Sequence, residues 1–242
     1  MDLVEALHAS GNVTCVVGAG GKKSTLYALA NRLERAIVTA TVRIPPFESH
    51  VADVRVTETP RDTIGAETAW PIGLVRARER SDRYHGYETE TIDEFVADLP
   101  ENVSVLVKAD GARTRWFKAP ADNEPQLPDA VDVVVPIASA RIVGTRLDDE
   151  HVHRPERVAA LTALDPGDRI SAADVATVLT SDRGGFKSVP ESATVVPIIN
   201  MVDDPEIEQT AREIAAEIYD RRDVSRVVLS RMIDEQPVVD VV

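Results

Sequence analysis

Cysteine is almost absent from the 242-residue chain: Cys15 stands alone, which excludes an intramolecular disulfide and a thiolate metal cluster. Its place inside an apolar run reads as a small buried hydrophobe. Lysine is scarce too, with five among 27 basic residues, and these face 41 acidic residues for a formal charge of -14. Arginine supplies the other basic residues, and no long basic cluster occurs. Such a balance repels nucleic-acid backbones and anionic membranes, so neither is an expected partner. An acidic, lysine-poor composition of this kind points to a salt-rich, halophilic cytoplasm. No window approaches 18 consecutive apolar residues, and Met1 to Ser10 carries acids without a long apolar stretch. The expectation is a soluble, cytoplasmic protein without a membrane span or signal peptide.

What is present is a series of short β-branched runs: Val13 to Val17, Ala36 to Ala40, Val103 to Val107, Val131 to Ile137, Thr194 to Ile199 and Val224 to Leu229. Each reads as a buried strand. Helical patterns fall at Ser24 to Arg35, Arg154 to Leu164, Ala172 to Leu179 and Pro205 to Asp220, the last two beginning near the N-cap residues Ser171 and Asp204. Strands alternating with helices predict an α/β fold: a P-loop-NTPase-like three-layer sandwich with a mainly parallel sheet and ligands at the carboxyl ends of the strands. One domain over residues 1–242 is expected. Pro45 to Tyr87, which has a strand-like Asp53 to Thr57 but no long amphipathic pattern, reads as an excursion or lid. Asp110 to Pro128, rich in Pro, Ala and charge, is expected over the site.

The chemistry is carried by one junction. The apolar run Val13 to Val17 leads into Gly18, Ala19, Gly20, Gly21, Lys22, Lys23, Ser24 and Thr25, and then into the helical Leu26 to Ala30. Strand, glycine loop and helix, in that order, let backbone N–H groups converge on phosphate oxygens at the positive end of a helix, with a lysine to neutralise them. Ser24 or Thr25 can supply a hydroxyl to Mg²⁺. The match to G-x-x-x-x-G-K-[ST] is incomplete, because Lys23 stands where the hydroxyl is due. Two registers result, with Lys22 or Lys23 as the phosphate lysine; Lys22 is preferred because it directly follows Gly21. A dinucleotide fingerprint fits less well, since it needs a third glycine at Lys23 and an acid where Thr39-Ala40-Thr41 ends the second strand.

Further elements agree with a nucleotide site. Thr39 and Thr41 end a strand where a hydroxyl can approach the metal or the γ-phosphate. Asp110, just past Val103 to Val107, is a carboxylate for Mg²⁺, and Gly111 allows close approach. Arg113, Arg115 and Lys118 share one loop and can contact a second anion or stabilise transferred charge. His151 and His153 form a His-x-His pair that needs a third ligand to hold a metal. Asn200 and Asp203 match the N-K-x-D element that reads guanine, with Met201 in place of the lysine.

Taken together, the G-A-G-G-K loop, Thr39 to Arg43 with nearby prolines, Lys108 to Arg113 with Lys118 to Pro120, Val152 to Pro155 and Asn200 to Asp203 resemble the YqeC family, along nearly the whole chain and in order. The resemblance implies a P-loop-type α/β protein that uses ATP or GTP with Mg²⁺ in maturation of a selenium-dependent molybdenum hydroxylase or its cofactor, which would then be its partner. The chain departs from the family pattern where Lys23 replaces a threonine, Ala40 interrupts a run of threonines, Lys108 replaces an acid and Met201 replaces a lysine.

Three functions fit these residues. In a slow nucleotide-hydrolysing maturation factor, Lys22 and the loop amides hold phosphates, Ser24 or Thr25 and Asp110 hold Mg²⁺, and Arg113 or Lys118 stabilises charge. In a small-molecule kinase, the Asp110 to Lys118 loop and His153-Arg154 bind an acceptor. In a non-catalytic protein, the glycine loop holds a nucleotide or pterin-dinucleotide phosphate.

Overall fold

The structure, a computed structural model, describes residues 1–65 and 69–242. Its strands are β1 (Val13–Gly18), β2 (Ala36–Ala40), β3 (Asp53–Val56), β4 (Ile72–Val75), β5 (Ala77–Arg80), β6 (Arg83–His85), β7 (Ser104–Lys108), β8 (Phe117–Lys118), β9 (Val133–Ser139), β10 (Val152–His153), β11 (Thr194–Val195), β12 (Ile198–Asn200), β13 (Val228–Ser230) and β14 (Val238–Val241). Its α-helices are α1 (Leu3–Ala6), α2 (Lys22–Ala30), α3 (Thr89–Val96), α4 (Pro155–Ala159), α5 (Ala172–Thr180) and α6 (Pro205–Arg221).

Ten strands form one sheet in the order β14-β13-β12-β9-β1-β7-β2-β4-β3, with β11 also on β9. All pairs are parallel except β13 with β14. Parallel pairing requires crossovers, and crossovers cover both faces, so the central strands are apolar throughout. Alternate residues of β1 therefore enter different cores: Val16 packs with Leu3, Leu7, Leu26 and Leu29 beneath α1 and α2, whereas Cys15 and Val17 pack with Tyr87, Ile92 and Phe95 beneath α3. Beyond β9, α5 and α6 cover the same face as α3 with Val175, Leu179, Ile214 and Ile218. The result is the expected three-layer α/β sandwich with a mainly parallel sheet.

Both expected N-caps are made. Ser171 and Asp174 form a capping box on α5, and Asp204 accepts from the amides of Glu206 and Ile207 ahead of α6 (3.0 and 2.9 Å). Four expected elements are shorter or divided: the helix expected to reach Arg35 stops at Ala30, and the strand expected from Val224 begins at Val228. Thr194 to Ile199 divides into β11 and β12 around Val196-Pro197, where proline has no N–H for the ladder. The helix expected over Arg154 to Leu164 stops at Ala159, after which the Leu161 amide turns back to the Val158 carbonyl (3.0 Å).

The Pro45 to Tyr87 segment, expected as an excursion or lid, supplies β3 and β4 to the sheet edge. Ile72, Leu74 and Val75 are buried there, so sheet pairing claims the middle of the segment. The β5–β6 hairpin stands off the large sheet, docked by paired main-chain bonds between Ile44 and Tyr84 (3.1 and 2.8 Å). Residues 66–68 of the segment lie outside the described residues. No helix among the described residues is long and apolar enough to cross a membrane.

Candidate anion-binding cleft at the sheet edge

The strand bearing the glycine loop lies beside the strand bearing Asp110, since β1 pairs β7 from Val13↔Val105 to Val16↔Lys108. Both chain segments leave the sheet at its carboxyl edge. The loop is drawn against its neighbours at each step: Ala19 N donates to Ile137 O (2.9 Å) and Gly20 N to Arg115 O (3.0 Å). A side chain at Gly20 would strike Ser139 N at 2.6 Å and Trp116 O at 2.8 Å, and one at Gly21 would strike Asn200 Nδ2 at 2.1 Å. Both residues hold φ values of 89° and 141°, so glycine is required on space and on conformation.

Helix α2 then starts at Lys22 with Gly21 as a cap that offers no side chain. Among the described residues, the N–H groups of Gly21, Lys22, Lys23 and Ser24 have no hydrogen-bond acceptor; the first amide of the turn to be satisfied is that of Thr25, bonded to Gly21 O (2.9 Å). Gly21, Lys22, Lys23 and Ser24 line a cleft of about 630 Å³, a size typical of small-molecule sites. Adjacent unsatisfied donors at a helix N-terminus form an anion cradle.

Beneath the cradle lies a buried ion cluster. Lys22 Nζ is 2.7 Å from Asp110 Oδ1 and also donates to Gly18 O. Asp110 Oδ2 takes Lys118 Nζ at 2.9 Å and the Gly18 amide at 2.9 Å. Oδ1 has only the Lys22 ion pair, which lacks hydrogen-bond alignment. Lys118 Nζ continues to Glu124 Oε2 (2.7 Å) and Gly111 O (2.7 Å), and Arg154 Nη1 meets the same Glu124 oxygen at 2.6 Å. Lys108 Nζ donates to Arg43 O and Asp110 O (2.8 Å each), which ties the β2 and β7 loops together.

Burial works to raise the Asp110 and Glu124 carboxyls, yet the surrounding cations prevail. Lys22 and Lys118 hold Asp110 below the usual carboxylate range, and Lys118 with Arg154 brings Glu124 down to about 2. Burial lowers Lys22 despite the attraction of Asp110, and burial with the charge of Lys22 lowers Lys108 to about 7. The cluster places Lys22, Lys108, Lys118 and Arg154 against two carboxylates, an excess of positive charge that an anion would relieve. Cys15 is buried in β1 and its thiol is pushed up by that burial, as expected of a hydrophobe.

The cleft unites some of the predicted residues and leaves out others. Gly20, Gly21, Lys22, Lys23, Ser24, Gly111, Arg113, Arg115, His153 and Arg154 line it. Gly18 and Ala19 lie under the loop, bonded to Asp110 and Ile137. Thr25 is fully buried and its hydroxyl bonds Gly21 O within α2 (3.1 Å), which leaves Ser24 as the accessible hydroxyl. The Thr41 hydroxyl is spent on Gln126 O (2.7 Å), and that of Thr39 is buried without a partner among the described residues, away from the cleft. Lys118, expected to face the ligand, is wholly buried between Asp110 and Glu124. Asn200 latches the glycine loop through Nδ2 to Gly20 O (2.7 Å), its Oδ1 accepting from Ser230 Oγ (3.1 Å) and Met232 N (3.2 Å). Asp203 does not line the cleft and pairs with Arg141 at 2.6 Å. His151 packs at a tilt against Trp116 (ring centroids 4.3 Å apart) and gathers with Asp148 and Glu150 rather than with His153. Burial and the charges of Arg154 and Lys118 bring His153 down to about 4, so it is neutral at pH 7.

Sequence reasoning missed Glu124 and Arg83 and gave Arg43, the end of the Thr39 to Arg43 element, no role at the site. The last two reach the cleft through the Ile44–Tyr84 bridge, a contact with no local sequence signal. Backbone strain marks the same place: Arg113, Thr114, Arg154 and Met201 all hold positive φ (46°, 62°, 63° and 63°) and all line the cleft. Left-handed non-glycine residues cost energy that the rest of the fold must offset, and they gather at functional sites.

Comparison with known proteins agrees with the pattern of motifs. A profile described as YqeC protein matches residues 14–156, from β1 through the His153-Arg154-Pro155 turn. The chain is also 31% identical over 194 residues to a protein of Escherichia coli (strain K12) described as "Uncharacterized protein YqeC", covering 78% of this chain and 75% of that one. No solved structure matches the chain. The glycine loop, the Asp110 strand and the His153-Arg154 turn all fall within the matched region, and the chain belongs to the YqeC family.

Proposed function

We propose that this protein binds a nucleoside triphosphate, ATP or GTP, in the cleft at the carboxyl edge of the sheet, and that it does so in maturation of a selenium-dependent molybdenum hydroxylase or its cofactor. The observation that carries the binding reading is the run of unsatisfied amides from Gly21 to Ser24, set over a buried lysine and facing a cleft with excess positive charge. The maturation role comes from the family resemblance.

Binding would exchange partners within the floor. Asp110 Oδ2 is held from two sides, by Lys118 and Gly18 N, whereas Oδ1 has Lys22 alone. Phosphate oxygens over the loop would compete for the Lys22 ammonium and free Oδ1, while Lys118 keeps the carboxylate in place and charged. Ser24 and Asp110 are then the residues that would hold Mg²⁺, whose chemistry is to neutralise phosphate charge. Arg113 and Arg115, which line the cleft, would stabilise charge that develops on a leaving phosphate. The ion pair of Asp203 with Arg141 counts against guanine selection by that carboxylate and weighs toward ATP. The same engagement of Asp110 favours a second, non-catalytic reading, in which the cleft holds a nucleotide or pterin-dinucleotide phosphate without turning it over.

Mg-ATP or Mg-GTP should raise the melting temperature in a concentration-dependent way, with slow phosphate release for a nucleotidase and none for a binding protein. No shift with either triphosphate overturns the reading.

A further inference from the structure

Most cations of this acidic chain are engaged. Among the described residues, Lys23, Arg80, Arg83, Arg113, Arg115 and Arg183 are the Lys and Arg side chains with no ion pair, hydrogen bond or ring contact. Lys23, Arg83, Arg113 and Arg115 from that set line one cleft. With 41 acidic residues to choose from, this concentration of unmatched positive charge is a property of the place.

The unmatched cations stand on different walls. Lys23 belongs to the first turn of α2, beside the free amides, and Arg115 is joined to the glycine loop through its carbonyl on Gly20 N (3.0 Å). Arg83 comes from the start of β6 and is carried into the cleft by the Ile44–Tyr84 bridge, which also brings Arg43, itself paired to Glu79 at 2.9 Å. Arg113 rises from the loop after β7 in a left-handed conformation, and Arg154, also left-handed, lines the same cleft, anchored on Glu124. The phosphates of one nucleotide over the loop already have the amides, Lys22 and Lys23. Neither Arg83 nor Arg113 is needed for that, and among the described residues neither side chain makes an ion pair, hydrogen bond or ring contact. Guanidinium groups offer the forked donors that match phosphate and carboxylate oxygens.

We infer that Arg83, Arg113 and Arg154, which line this cleft from different segments, form a second anion subsite, which takes an oxyanion of a second small molecule, a phosphate ester or a carboxylate, while the glycine loop is filled. The inference rests on the nucleotide reading for the occupant of the loop, although the subsite itself does not require it. The cleft is thereby a two-ligand site, built to bring an acceptor or client cofactor beside a nucleotide.

The test uses inorganic phosphate as the probe, by ³¹P NMR titration of the full chain at fixed ionic strength, on wild type, Lys22→Ala and the double variant Arg83→Gln/Arg113→Gln. Two saturable sites per chain are expected, with the loop site weakened tenfold or more by Lys22→Ala and the other weakened as much by the arginine pair. A single site lost in both variants, or loss in the arginine pair of the site that Lys22→Ala removes, overturns the inference. A wild-type protein with the arginine-dependent site alone, unaffected by Lys22→Ala, would sink the nucleotide reading and leave the anion subsite standing. Phenyl phosphate and benzoate, titrated next, separate the sources: tighter phenyl phosphate names a phosphate ester, and tighter benzoate a carboxylate.

Discussion

The floor of the cleft and its mouth are both rich in charge, but they are organised in opposite ways. In the floor, Lys22 and Lys118 are matched to Asp110 and Glu124 at 2.7 to 2.9 Å and shielded from water. At the mouth, Lys23, Arg83, Arg113 and Arg115 are matched to no acidic side chain among the described residues. Buried charges must be compensated or they unfold the site, whereas exposed charges can wait for a ligand at little cost. The floor is therefore where substitution damages the fold, and the mouth is where it damages binding alone.

The sharpest break in that contrast is Asp110→Ala. It strands Lys22 and Lys118 in the interior without their shared carboxylate, and the expected loss is about 3–5 kcal/mol in urea unfolding; a loss below about 1 kcal/mol would mean the floor tolerates uncompensated lysines. Next is Asn200→Ala, which leaves Gly20 O, Ser230 Oγ and Met232 N without their partner and should cost about 1–3 kcal/mol, together with weaker phosphate binding as the loop loses its latch. The third concerns acid. The folded Glu124 carboxyl lies at about 2, below its ordinary value of 4.5, so its contribution is full above pH 4.5 and is lost as pH falls toward 2. Urea midpoints measured across that window should drop, and Glu124→Gln should start lower at neutral pH and drop less. At the mouth, Arg83→Ala and Arg113→Ala should each leave stability within about 0.5 kcal/mol of wild type; a larger change would place these side chains in the fold after all.

The same contrast explains what could be read from the sequence. The floor's anchor points were legible because they sit at the ends of strong local signals: the apolar run into Gly18, the helix from Lys22, and the strand that ends before Asp110. The caps at Ser171 and Asp204 were legible for the same reason, since capping depends on residues within a few positions. What stayed hidden depends on distant contacts. The short β4 and β14 strands and the β5–β6 hairpin carry too few residues to show a period. The burial of Lys118 follows from Glu124 and Asp110 meeting it in space, and the Asp203–Arg141 pair removed a carboxylate whose spacing after Asn200 pointed to the cleft. Spacing in a loop fixes which residues are near in the chain, and the fold decides where each side chain turns.

The most direct test is calorimetry of ATP and GTP with Mg²⁺ at high salt, on wild type and on Lys22→Ala, with circular dichroism to verify that the variant is folded. The account predicts saturable binding of at least one triphosphate to wild type, weakened tenfold or more in the folded Lys22→Ala protein. Unchanged affinity in the variant, or no binding of either triphosphate to wild type, would contradict it.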